Sequence, residues 1–119
     1  MGVESTIRTI IKNPGEAPKV IKVPKGLQQM QSLVGGNIEM MRGDAVGLPQ
    51  AIDVWFNEEG KLIGLPPNLV LRMPGSREIW DVVMGPVFFT THDDEGDTCS
   101  LPDVHDKAVL KFIKDNTHA

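Results

Sequence analysis

The chain has very little cysteine: Cys99 is the only one among 119 residues. A single cysteine cannot form a disulfide within the chain, and it excludes a zinc site with four cysteine ligands. No apolar run approaches the roughly 18 residues that a membrane-spanning helix needs. The opening residues, MGVESTIRTII, lack the pattern of a signal peptide. These absences predict a protein of a reducing, cytoplasmic compartment without a membrane partner.

Motifs of common enzymes are also missing. The chain contains neither the G-x-S-x-G of a nucleophile elbow nor the G-x-x-x-x-G-K-[ST] of a phosphate loop. The acidic stretch HDDEGD, residues 92–97, fails the spacing of a calcium-binding loop and is typical of an exposed turn. We therefore assign no catalytic residue, no metal ligand and no cofactor. A small hydrolase that uses His92, Cys99 and His105 stays as an alternative.

Charge is distributed unevenly along the chain, whose formal net charge is −4. Residues 1–42 carry six cationic side chains against three acidic ones, and residues 43–119 carry six against thirteen. A protein with this balance is a poor partner for duplex nucleic acid, which requires a concentrated positive surface.

Hydrophobic patterns predict a single α+β domain over residues 1–119. Alternating or β-branched runs indicate strands at 6–11, 19–24, 37–41, 51–56, 61–65, 79–91 and 98–100. Helical spacing indicates a short helix over 25–36, which ends at two glycines, and a C-terminal helix with Ser100 as N-cap. The expected architecture is a mainly antiparallel sheet with one or two helices packed on one face, and the C-terminal helix is the best supported of these elements.

Three places within this pattern allow more detailed predictions. In the strand 51–56, Ile52, Val54 and Phe56 alternate with Asp53 and Trp55, so the two sets face opposite sides of the sheet. Asn57–Gly60 is expected to form a hairpin turn in which Gly60 takes a positive φ. The long apolar run 79–91 is expected to bend at Gly85–Pro86.

Several blocks of the sequence resemble an uncharacterised small-domain family found largely in phages and mobile elements. The blocks are L-V-G-G with a following I-E, then NEEGKLIGLPPN at 57–68, and D-V-x-x-G-x-V at 81–87. The similarity extends over roughly residues 27–113. It implies a small cytoplasmic accessory protein that acts by binding, either to a host protein or to a small signal molecule, and it supplies no catalytic residue.

The double proline suggests where such binding would occur. Pro66, Pro67 and Asn68 make a stiff segment, and Trp55 is hypothesised to line a ligand groove or a subunit contact with it. Arg72 and Arg77 would offer an anion two charge-assisted donors. The alternatives are that the prolines only stiffen a crossover over the sheet and that Trp55 is buried beneath residues 65–72.

Two main functional hypotheses follow. The first is a homo-oligomeric binding protein that sequesters a nucleotide-like signal molecule, which would act as a counter-defence during phage infection. The second is a protein inhibitor that docks on a host enzyme through an apolar patch.

Overall fold

The structure, a computed structural model, describes residues 5–118 and is built around an antiparallel sheet. Residues 1–4, part of the segment in which no signal peptide was expected, and Ala119 lie outside the described residues. In chain order the strands are β1 Thr6–Lys12, β2 Lys19–Pro24, β3 Ile38–Arg42, β4 Ile52–Asn57, β5 Pro67–Arg72, β6 Ile79–Met84, β7 Val87–His92 and β8 Thr98–Cys99. The helices are α1 Leu27–Val34 and α2 Asp106–Asn116, with 3₁₀ turns at Gly43–Val46 and Asp103–His105.

Strand order places β7 at the centre of the main sheet. The order is β2-β1-β7-β4-β3, and β8 pairs with the last two residues of β7. Strands β5 and β6 form a separate antiparallel hairpin. The α+β class, the mainly antiparallel sheet and the C-terminal helix are confirmed. Among residues 5–118, no helix is both long and apolar enough to cross a bilayer.

The two faces of the main sheet are covered by different elements. Successive residues of a strand point to opposite faces, so Phe88 and Phe89 of β7 belong to different clusters. Phe89 packs with Phe112 of α2 and with the β5–β6 hairpin, whereas Phe88 packs with Met30 of α1. The helices therefore lie on opposite faces, one on each, whereas the sequence predicted one or two helices on a single face.

The C-terminal helix begins later than predicted. Helix α2 starts at Asp106 after a 3₁₀ turn, and no side chain caps its N-terminus in the part of the chain that the structure describes. The hydroxyl of Ser100 accepts a hydrogen bond from the backbone N–H of Arg8 at 2.9 Å. The predicted cap at Ser100 is wrong because β1 passes close enough to use this oxygen.

Residues 61–65 form turns instead of the predicted strand. The N–H of Ile63 donates to the carbonyl of Glu59, and the N–H of Leu65 donates to that of Gly60, so the local backbone bonds are used within the turn. Gly60 does not have a positive φ. A Cβ at this position would lie 2.4 Å from the carbonyl oxygen of Met84. Glycine is required here by close approach of the β6 backbone.

The predicted break at Gly85–Pro86 separates two sheets. Gly85 has a φ of 92°, and the chain leaves β6 of the hairpin there and enters β7 of the main sheet. On the partner strand, the hairpin begins at Pro67, and proline is tolerated as the first residue of a strand.

Candidate functional site

We call the face of the main sheet on which α1 packs the α1 face, and the opposite face the α2 face. Helix α1 leaves part of the α1 face uncovered, and this part forms a cleft. Helix α1 covers the end of this face near Asn57, whose Nδ2 donates to the carbonyl of Val34 at 3.0 Å. The cleft lies at the other end of β3 and β4 and has a volume of about 410 Å³. We call it the Asp53 cleft, and its main lining residues are Met40, Arg42, Gln50, Asp53, Trp55 and His92.

Asp53 is the most unusual of these residues. Its side chain is only 4% exposed, although it lines the cleft. No hydrogen-bond partner for its Oδ1 occurs among residues 5–118. A buried carboxylate oxygen without a donor costs about 1–3 kcal/mol or more, so most such oxygens in native proteins are satisfied. The arrangement is therefore unfavourable for folding alone, and it makes Asp53 the candidate acceptor of this cleft.

His92 holds the other carboxylate oxygen of Asp53. Nδ1 of His92 lies 2.8 Å from Oδ2, so an Nδ1–H of the ring can donate to the carboxylate. Strand β7 is paired with β4 so that Thr91 lies opposite Ile52, which brings His92 to the end of β4 near Asp53. With Nδ1 used in this way, Nε2 of the partly exposed ring is the atom that can reach a ligand.

Trp55 forms an aromatic wall that is held in place from two sides. Its ring stacks on Phe88, with centroids 6.1 Å apart and planes at 8°. Its indole N–H donates to Oγ1 of Thr90 at 2.8 Å. Because its polar atom is satisfied within the fold, the remaining surface that Trp55 offers to the cleft is apolar.

Arg42 brings a positive charge to the edge of the cleft. It lies opposite Asp53 in the β3–β4 pairing, but its guanidinium bonds Asp44 at 2.6 Å. Both partners of this ion pair are substantially exposed, with 59% and 38% of their side-chain surfaces accessible. An exposed pair of this kind contributes little to stability, so Arg42 is free to exchange its partner for an anionic ligand at small cost.

A family model described as a domain of unknown function, DUF3846, matches residues 7–113. The chain belongs to the DUF3846 family. No curated protein and no solved structure matches the chain.

In this DUF3846 chain, the residues predicted to form one site are divided between the two faces. Trp55 lies on the α1 face, whereas the β5–β6 hairpin that follows the double proline packs on the α2 face. The structure therefore does not bring Trp55 together with Pro66, Pro67 and Asn68. The alternative that Trp55 lies beneath residues 65–72 is also wrong for the same reason.

The polar groups of the double-proline segment are used inside the fold. The side-chain amide of Asn68 donates to the carbonyls of Lys12 and Gly85, each at 2.8 Å, and its Oδ1 accepts from Nζ of Lys12 at 3.1 Å. The carbonyl of Pro66 accepts from the N–H of Gly85 at 2.7 Å. These bonds fit a stiff crossover that anchors the hairpin to β1.

The two arginines after this segment are not brought together with Trp55 either. Arg72 donates from Nη1 to Oδ1 of Asn116 at 3.2 Å, which ties β5 to the end of α2. Arg77 is exposed in the turn between β5 and β6. An anion site formed by both arginines stays a prediction.

The three residues kept for a hydrolase are also separated. Cys99 pairs with Thr91, on the α2 face of β7, whereas His92 points to the other face with Asp53. His105 ends the 3₁₀ turn before α2. Within the described residues, no three His, Cys, Asp or Glu side chains are grouped so that they could hold a metal ion.

Proposed function

We propose that the protein binds a small nucleotide-like molecule in the Asp53 cleft and sequesters it. The observation that carries this proposal is the buried Oδ1 of Asp53, which has no donor within the described residues and belongs to a side chain that lines the cleft. The volume of about 410 Å³ lies within the range of roughly 300–1,000 Å³ that is usual for small-ligand sites.

Three side chains of the cleft indicate which chemical groups the ligand would have. The carboxylate of Asp53 favours a ring with N–H donors at its edge, which the nucleobases guanine, adenine and cytosine have. The indole of Trp55 favours a flat apolar surface next to that edge. Arg42 at the rim favours an anionic group such as a phosphate, with which a guanidinium forms charge-assisted hydrogen bonds.

The biological setting follows from the resemblance to small domains of phages and mobile elements. Sequestration of a nucleotide signal by such a protein would act as a counter-defence, because it lowers the free concentration of the signal in the host cytoplasm. A binding protein of this type requires an acceptor and an aromatic wall, and the cleft has both in Asp53 and Trp55.

The test is a binding screen with purified protein. Cyclic mononucleotides, cyclic dinucleotides and ADP-ribose derivatives are added one at a time, and the melting temperature and the Kd by calorimetry are measured. We expect at least one nucleotide to raise the melting temperature by several degrees. Asp53→Asn, which keeps the shape of the side chain, should weaken Kd at least about tenfold, or about 1.4 kcal/mol.

The matched control is Asp115→Asn, an exposed carboxylate on α2 that pairs with Lys111 at the opposite face. This variant should bind the nucleotide as the original protein does. The proposal fails if no nucleotide gives a saturable shift, or if Asp53→Asn and Asp115→Asn bind equally well.

A second candidate function is hydrolysis of the same ligand, and the contact between His92 and Asp53 favours it. A histidine oriented by a buried carboxylate can act as a general base toward water. Incubation of each bound nucleotide with the protein, followed by chromatography, distinguishes the two functions. Turnover that disappears in His92→Gln would make the protein an enzyme, whereas unchanged nucleotide is the result expected for sequestration.

The alternative of a protein inhibitor of a host enzyme rests on a different region. Ile79 and Trp80 of β6 are 59% and 50% exposed, which provides apolar side chains for a protein contact. Under this hypothesis, Trp80→Ser would abolish inhibition of the host enzyme, and Asp53→Asn would leave it unchanged.

A further inference from the structure

Lys12, at the end of β1, is a buried cation with no carboxylate in direct contact within residues 5–118. The residue is only 3% exposed. Its Nζ donates to the carbonyl of Asn13 at 2.8 Å and to Oδ1 of Asn68 at 3.1 Å. A lysine ammonium has three donors, so two neutral oxygens leave one donor available.

Burial of this ammonium is unfavourable in the absence of an anion. Loss of water around the side chain lowers the pKa of Lys12, and the more distant charge of Glu16 opposes this shift. Proteins rarely bury lysine without a paired charge. The environment of Lys12 is therefore better suited to a state in which an anion lies beside the ammonium.

A cavity beside Lys12 has room for such an anion. It has a volume of about 450 Å³ and lies between the turn that joins β1 to β2 and the second half of α2. We call it the Lys12 cavity. Its lining includes the apolar side chains of Leu110 and Ile113, and the charged or titratable side chains of Lys12, Glu16, Lys114 and His118.

We propose that the Lys12 cavity binds a small carboxylic acid with an apolar body. The carboxylate pairs with the ammonium of Lys12, and the hydrocarbon chain lies against Leu110 and Ile113 of α2. One available donor suits a singly charged carboxylate. A phosphate dianion would require several donors, and Glu16 at the same cavity would repel its double charge more strongly than the single charge of a carboxylate.

This site is separate from the Asp53 cleft. Lys12 follows Ile11, which packs on the α1 face, so its side chain belongs to the opposite face of β1. Binding of a carboxylic acid here does not depend on nucleotide binding, and either proposal can fail without the other.

The experiment measures binding of hexanoate and of hexanol to the full chain by calorimetry at pH 7 and low salt. Hexanol has the same hydrocarbon length without the charge. We expect saturable binding of hexanoate and at least tenfold weaker binding of hexanol. Equal binding of the two compounds, or no binding of hexanoate, would overturn the proposal.

Two variants locate the site. Lys12→Met removes the charge with similar side-chain length and should weaken hexanoate binding at least tenfold, whereas Lys19→Met, at an exposed position of β2, should not. Leu110→Glu places a negative charge on the cavity wall at a residue that is 41% exposed, so it should abolish binding even if Lys12→Met does not fold. Unchanged binding in Leu110→Glu would refute the assignment.

The pKa of Lys12 gives a readout in the original protein. Hexanoate binds the ammonium form, so its affinity should fall as the pH rises through the pKa of Lys12, and saturating hexanoate should raise that pKa in an NMR titration of the lysine Cε signals. A pKa that does not move when hexanoate binds would place the carboxylate elsewhere.

Discussion

The two faces of the main sheet differ in how completely they are filled. Among residues 5–118, fourteen buried apolar residues form a continuous cluster on the α2 face, which α2 and the β5–β6 hairpin close. On the α1 face, the cluster has four buried apolar residues within the described part of the chain, and the strands beside it bury Asp53 and Thr90 instead. The comparison indicates that the α2 face supplies most of the stability, whereas the α1 face has less apolar packing and contains a polar cleft.

The largest expected effect is a cavity in the filled face. Phe89 is fully buried and meets Phe112 edge to face, with ring centroids 6.2 Å apart and planes at 78°. Phe89→Ala should lower the free energy of unfolding by about 3–5 kcal/mol, because the packed cluster cannot collapse into the space. Urea denaturation followed by circular dichroism measures this loss. Leu62→Ala, at a side chain that is 80% exposed, should change it by less than about 0.5 kcal/mol.

The next effect concerns the polar anchor at the edge of the same face. Asn68→Ala removes the amide that joins β1, β5 and the Gly85 break. Buried carbonyls and the ammonium of Lys12 would lose hydrogen-bond partners, so the free energy of unfolding should fall by about 1–3 kcal/mol. The same denaturation measurement applies. If the loss is only a few tenths of a kcal/mol, the segment does not anchor the hairpin.

A smaller effect is expected where α2 is tied to β1 by charge. Arg8 bonds Asp106 through both oxygens, at 2.9 and 2.5 Å, and this contact lowers the pKa of Asp106. A lowered pKa stabilises the folded state above the ordinary value for aspartate, and the contribution is lost as the pH falls through the folded value. Asp106→Asn should therefore cost about 1 kcal/mol at pH 7. The difference in the free energy of unfolding between Asp106→Asn and the original protein, measured by urea denaturation, should disappear in strong acid.

The smallest change in stability is expected in the cleft. Asp53→Asn should change the free energy of unfolding by less than about 1 kcal/mol. Any change should be an increase, because residues kept for binding are seldom the most favourable ones for folding. Thermal denaturation without ligand tests this expectation. A loss above about 2 kcal/mol would mean that Asp53 serves the fold, and the contrast between the two faces would no longer hold.

Local patterns in the sequence were sufficient to predict which way several side chains point. The alternation in 51–56 correctly placed Ile52, Val54 and Phe56 on the opposite side of the sheet from Asp53 and Trp55, and the structure shows that the first set lies on the filled face. The break at Gly85–Pro86 was visible for a similar reason, since proline and glycine limit the backbone locally. These predictions depended only on neighbouring residues.

Contacts between distant residues could not be predicted in this way. His92 meets Asp53 only because β7 pairs with β4 in one register, and these residues are 39 positions apart. Leu62 and Ile63 have strand-like side chains, yet the approach of Gly60 to β6 holds their segment in turns. Arg42 was missed as part of the cleft, and Thr90 was missed as the partner of Trp55, because nothing in their own neighbourhoods marks them.

The short connection between β6 and β7 limits how the chain can be rearranged. Only Gly85 and Pro86 separate a strand of the small hairpin from the central strand of the main sheet. Extra residues inserted there would uncouple the two sheets and loosen β7, which contributes His92 to the cleft. The exposed turn at 93–97 borders the Asp53 cleft through Gly96, so an engineered tag or a new terminus placed there would lie beside the proposed binding site.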